Sequence, residues 1–137
     1  MAMTTQQPVH EIEIVRTPPT MAEAQLIVQI ATADAISGAD RGYGVLTRFE
    51  TPPTLGQLRK KHAVDSDEYR YVMRFLSSCE MISTFVKQGL LSAELVNDLY
   101  WVGGAWRLCE KICKGMRREA GEPRVMENFE ALATRSS

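Results

Sequence analysis

The sequence predicts an all-α protein, a small helical bundle with two long antiparallel helices, an N-terminal helix and short accessory helices. Three observations carry that prediction. From Met21 onward the apolar residues recur at helical spacing on most segments. No run of residues reads as a hairpin or as a strand–helix–strand unit. Thr-Pro-Pro-Thr occurs at residues 17–20 and again at residues 51–54, and each copy is followed by a Glu or Gln three residues beyond its last Thr. That last pattern is the signature of a capping box.

Residues 1–16 read as an extended or disordered tail, in which Glu11-Ile12-Glu13-Ile14 alternates as a short strand would. Residues 17–135 read as one helical domain. Pro19 and Pro53 each push the preceding proline out of the α region, so Thr20 with Glu23, and Thr54 with Gln57, mark helix starts. The spacing of the two copies is that of a tetratricopeptide array, but the residues after them do not align and no third copy occurs. On the first helix Ala24, Ile27, Val28, Ala31 and Ala35 share a face that Leu26, Ile30 and Ala33 widen. Apolar on more than one side, it suits a central position or a subunit interface.

Ser37-Gly38 is a stop, and residues 38–44 carry three glycines. A phosphate loop needs a preceding strand and a Gly-Lys-Ser/Thr sequence; neither is present, so this stretch reads as an inter-helix loop. Residues 45–50 allow a further helical turn, and residues 55–61 a short helix. A long helix follows over residues 67–87, with a capping box from Asp65 and Glu68 and a hydrophobic staple from Val64 and Tyr69. Gly89 ends it. Ser92 caps a second long helix over residues 93–118, where Gly103 and Gly104 cost about 1 kcal/mol each in propensity and either kink the helix or admit Trp101 or Trp106. Gly121 and Pro123 end that helix, and residues 126–133 form the last one.

The composition narrows the function classes. Sixteen basic residues against seventeen acidic ones give a net charge of −1, without the basic surplus of a dedicated nucleic-acid binder. The start of the chain lacks the features of a signal peptide. Its most apolar windows fall short of the roughly 20 residues that cross a bilayer. With three cysteines and no export signal, the expectation is a cytoplasmic protein with reduced thiols.

Few residue patterns announce chemistry. Cys79, Cys109, Cys113 and His62 lack the tight C-x-x-C spacing of structural zinc sites, so no metal or other cofactor is expected. His62 follows Arg59-Lys60-Lys61 and reads as a solvated helix end. No nucleophile–base motif occurs, and no catalytic residue is assigned. Residues 54–76 have the outline of a helix-turn-helix. Arg70 and Arg74 then ride on its second helix, beside the basic run Arg59, Lys60 and Lys61. Arg59, however, stands where close helix packing favours alanine. Arg107, Lys111, Lys114 and Arg118 form a second basic row, which is the solvated face of an amphipathic helix or a contact for an acidic partner or RNA.

The ordered set Glu80, Gly89-Leu90-Leu91, Glu94-Leu95, Trp106, Arg118, Gly121, Pro123, Phe129-Glu130 and Leu132-Ala133 resembles a family of small bacterial and archaeal helical domains of unknown function. The resemblance covers about residues 68–133. It implies a helical fold in which a Gly-x-Pro break folds a final helix back onto the long ones, and it implies no activity or ligand. Members often carry a membrane helix ahead of this domain; no apolar run of that length occurs here.

The sequence therefore points to a non-enzymatic protein–protein interaction or regulatory module. Ile27, Ile30, Tyr100, Trp101 and Trp106 are its candidate interface, with self-association as a homodimer. The alternative is nucleic-acid binding through the basic residues, and a third class is a ligand or catalytic site between the long helices.

Overall fold

The structure, a computed structural model, describes residues 17–135; the tail expected over residues 1–16 lies outside the described residues. Those described fold into α1 (Met21–Ser37), α2 (Ala39–Thr47), α3 (Leu55–Lys61), α4 (Asp67–Lys87), α5 (Ala93–Leu99), α6 (Val102–Ala120) and α7 (Glu127–Arg135), with no strand among them. None of these helices is long and apolar enough to cross a membrane.

Both Thr-Pro-Pro-Thr segments end in complete capping boxes. The Thr20 hydroxyl accepts the Glu23 N–H at 3.2 Å while the Glu23 carboxylate accepts the Thr20 N–H at 2.8 Å. Thr54 and Gln57 exchange the same pair of bonds at 3.1 and 3.0 Å. Two of the orphan N–H donors at each helix start are satisfied in this way. Glu23 also acts at longer range, since its other oxygen accepts the Ser92 N–H at 2.7 Å and ties the start of α1 to the start of α5. At the end of α4, Gly89 takes φ 78° and the Leu90 N–H reaches back to the Phe85 carbonyl at 2.8 Å. This reversal is open to glycine without a Cβ penalty.

Tertiary packing departs from the sequence reading in four places. Residues 38–44 are not a loop: Gly38 alone separates two helices, and residues 39–44 belong to α2, which lies along α4. A Cβ on Gly42 would collide with the Tyr71 carbonyl oxygen and lie 2.5 Å from Phe75 Cβ. The glycines there serve close helix contact rather than a turn. The second long helix is broken: Tyr100 is extended (φ −131°, ψ 142°) and α6 starts only at Val102. Gly103 and Gly104 therefore sit in the first turn of α6, and the missing side chain of Gly104 makes room for the Trp101 indole. The cap of α4 is Ser66, whose hydroxyl accepts the Tyr69 N–H at 3.2 Å, not Asp65, and Val64 is left exposed. The last helix runs over Glu127–Arg135, because Met126 has φ 58° and cannot be part of it.

α7 packs on both α4 and α6, α3 packs on α6, and α1 lies against α2 and α4. The centre is filled by Leu46, Leu58, Leu76, Val96, Ile112 and Phe129, all fully buried. Each such side chain contributes about 1.5–3 kcal/mol through burial. Trp106 and Phe129 meet edge to face at 5.2 Å, which locks α7 onto α6.

Candidate functional site

The inner face of α1 carries Ile27, Ile30 and Asp34 at helical spacing, so a carboxylate is delivered to the side that faces the bundle. The break between α5 and α6 holds Tyr100 and Trp101 beside it, and α2 brings Asp40 and Tyr43. Between these elements and α4, α6 and α7 lies a cavity of about 420 Å³. Its walls are largely apolar, formed by Phe75, Ile82, Val96, Val102, Phe129 and Leu132. At its mouth Trp101 is 71% exposed, and Tyr43, Leu99 and Tyr100 are partly open to solvent.

The polar groups are few and convergent. Asp34 is half-buried and accepts a hydrogen bond from the Ser78 hydroxyl at 2.9 Å. Burial pushes its carboxyl above the usual range; the Ser78 bond opposes that and the charge of Asp40 adds to it. Burial, followed by the charge of Asp34, raises the Tyr100 phenol. Burial also pushes up the Cys79 thiol at the cavity wall, so it stays protonated at neutral pH.

A second polar cluster is structural. The Glu80 Oε1 atom accepts the N–H groups of Asn128 and Phe129 at 2.7 and 3.2 Å, acting as the cap of α7 from a distant helix. Arg117 lies over the Trp106 ring at 5.8 Å, donates to the Val125 carbonyl at 2.8 Å and pairs with Glu130 at 3.0 Å. The acidic residue, the Trp and the Phe-Glu pair that marked the sequence resemblance are thus parts of one clasp around α7. Its arginine is Arg117, one residue before the Arg118 singled out from sequence.

Several of the basic residues named from sequence are engaged by partners within the chain, and the others are open to solvent. Arg59 is held bidentately by Glu119 at 2.6 and 3.0 Å and also donates to the Tyr69 hydroxyl. Arg70 pairs with Asp67, and Lys114 with Glu110 at 2.7 Å. Lys61 lies over the Phe49 ring at 4.7 Å. Lys60, Arg74, Arg107, Lys111 and Arg118 lie at the surface. His62 is half-buried and packs edge-on against Phe49 at 6.1 Å, so it is not a solvated helix end. Of the residues named for an interface, Ile30 and Trp106 face the interior, Ile27 is half-buried, and Tyr100 and Trp101 are at the cavity mouth.

Sequence reasoning did not single out Asp34, Tyr43, Phe75 or Ser78. One signal was present for Asp34, a carboxylate in the last part of α1 in register with the apolar Ile27 and Ile30.

No curated protein and no solved structure matches the chain. The family described as a domain of unknown function, DUF4760, matches residues 19–136, from the lead-in to α1 to the end of α7 and so over the clasp and every cavity-lining residue. The chain belongs to that family.

Proposed function

We propose that this domain is a non-enzymatic regulatory module that takes a small, mainly apolar molecule into the cavity beside Asp34. The cavity itself carries the reading. Its volume of about 420 Å³ falls within the range of about 300–1,000 Å³ of small-molecule sites, and its apolar walls with a few convergent polar groups fit them too. Its walls come from α1, α2, α4, α5, α6 and α7, so an occupant touches most of the bundle. The ion pairs of Arg59, Arg70 and Lys114 favour this reading over nucleic-acid binding, since those charges are already answered within the chain. The thiol at the cavity wall is held protonated by burial, which favours binding over catalysis.

Thermal unfolding with small neutral probes such as 1-octanol tests the proposal. A ligand at about 100 times its Kd stabilises the folded state by about 2.7 kcal/mol, and Ala31→Trp, at the mouth, should abolish the shift. If no apolar probe stabilises the protein, the reading fails.

A second reading, self-association, rests on the exposed face of α1, whose Ala31 also borders the cavity mouth. Met21, Ala24, Val28, Ala31 and Ala35 follow the alternating three- and four-residue spacing of a helix–helix seam, and all five are exposed. Val28 is 64% and Met21 73% open to solvent. Light scattering over a concentration series should show a dimer that Val28→Glu returns to monomer; a monomer at every concentration removes this reading.

A further inference from the structure

The ionisable side chains along the cavity are of one sign. Asp34 and Asp40 line it, and no Lys, Arg or His does. Among the described residues neither aspartate takes part in a salt bridge. The nearest cation in sequence, Arg41, turns away: its guanidinium lies over the Tyr71 ring at 5.5 Å and donates to the Tyr71 hydroxyl at 3.2 Å. Asp34 is left with a single neutral donor, the Ser78 hydroxyl, at 2.9 Å. The rings of Tyr43, Phe75, Tyr100 and Trp101 line the same cavity. Aromatic faces attract cations through the ring quadrupole, and the attraction grows when water is excluded.

We infer that the ligand of this cavity is an apolar monocation, an alkyl or aryl ammonium whose charged head meets Asp34 among the aromatic rings while its body fills the apolar interior. This rests on the small-molecule reading and narrows it. A carboxylate ligand would bring a third negative charge to a site without a cation. A neutral apolar ligand would leave the aspartates unpaired. An ammonium supplies the donor that Asp34 lacks, and its apolar body replaces water against Ile82, Val96 and Phe129.

The test uses the full chain and three probes with the same apolar tail: octylammonium, 1-octanol and octanoate, followed by calorimetry and tryptophan fluorescence. Octylammonium should bind at least about tenfold more tightly than 1-octanol, in keeping with a charge-assisted bond and a cation–π contact, and octanoate more weakly than both. In Asp34→Asn, which retains an acceptor for Ser78, octylammonium should fall to the affinity of 1-octanol while 1-octanol is unchanged. Equal binding of octylammonium and 1-octanol to the wild type would overturn the charge assignment and leave the cavity reading standing. Tighter binding of octanoate would overturn it as well. If no probe binds, or if Ala31→Trp binds octylammonium as the wild type does, the cavity reading falls with it.

Discussion

The Glu80 carboxylate of α4 accepts the Asn128 N–H at 2.7 Å and the Phe129 N–H at 3.2 Å, so one long helix caps another element almost fifty residues away in sequence. The start of α7 has its donors answered by tertiary structure instead of by a neighbouring Ser, Thr or Asp. Removing the acceptor leaves two backbone donors without it beneath the Trp106–Phe129 contact. Glu80→Ala should destabilise the fold by about 1–3 kcal/mol, and Glu80→Gln, which keeps an acceptor, by less. Urea denaturation checks this. Equal losses in the two variants would mean that the hydrogen bonds to α7 are not what Glu80 contributes.

Gly42 and Gly44 occupy the same helix and should respond to alanine with opposite signs. A Cβ at Gly42 has no room against the Tyr71 carbonyl oxygen and Phe75, whereas one at Gly44 meets nothing within 4 Å. Gly42→Ala forces α2 away from α4 and should cost about 1–3 kcal/mol. Gly44→Ala should stabilise by about 0.5–1 kcal/mol through helix propensity and a restricted unfolded chain. The two thermal midpoints, measured side by side, test whether α2 packs as described.

Protonation of Asp34 should be visible in stability against pH. Burial raises its folded-state pKa above that of the unfolded chain, so the folded protein binds this proton more tightly. Its contribution is fully present below the ordinary carboxylate value of about 4 and is lost as pH rises through the folded value. Glu80 acts in the same direction, again chiefly through burial. Glu23 and Glu119 oppose it: bonds from the Thr20 N–H and from Arg59 hold their carboxyls low, so their contributions fade on acidification. Comparison with Asp34→Asn isolates one carboxyl. Wild type should gain stability relative to that variant as pH falls from neutrality toward the ordinary carboxylate value of about 4. A difference that stays flat over this window would contradict the burial of Asp34.

The three thiols should resist modification in the folded state. Burial raises Cys79 and Cys109 far above the usual thiol value and pushes Cys113 up to about 12. Little thiolate exists at neutral pH, and the thiolate is the nucleophile. A thiol reagent at pH 8 should label the native protein many times more slowly than the urea-unfolded chain. Cys79, half-buried on the cavity wall, should react first and be protected by a bound probe. Fast native labelling at Cys109 or Cys113 would contradict their burial.

Sequence alone determined the helical class, both Thr-Pro-Pro-Thr helix starts, the bounds of α1, α3 and α4, and the ends at Gly38, Gly89 and Gly121. Each of these depends on groups within a turn or so of one another, and hydroxyl caps or left-handed glycines act at that range. Only tertiary structure decided that the residues around Gly42 form a helix, since the demand for glycine there comes from Tyr71 and Phe75 on another element. The break at Tyr100-Trp101 was decided at the same level: Trp101 gains a seat on Gly104, and no local pattern records that exchange. The cavity was invisible for the same reason. Asp34, Ser78 and Tyr100 are each ordinary in their own segment, and a site assembled from six helices exists only once their packing leaves space between them.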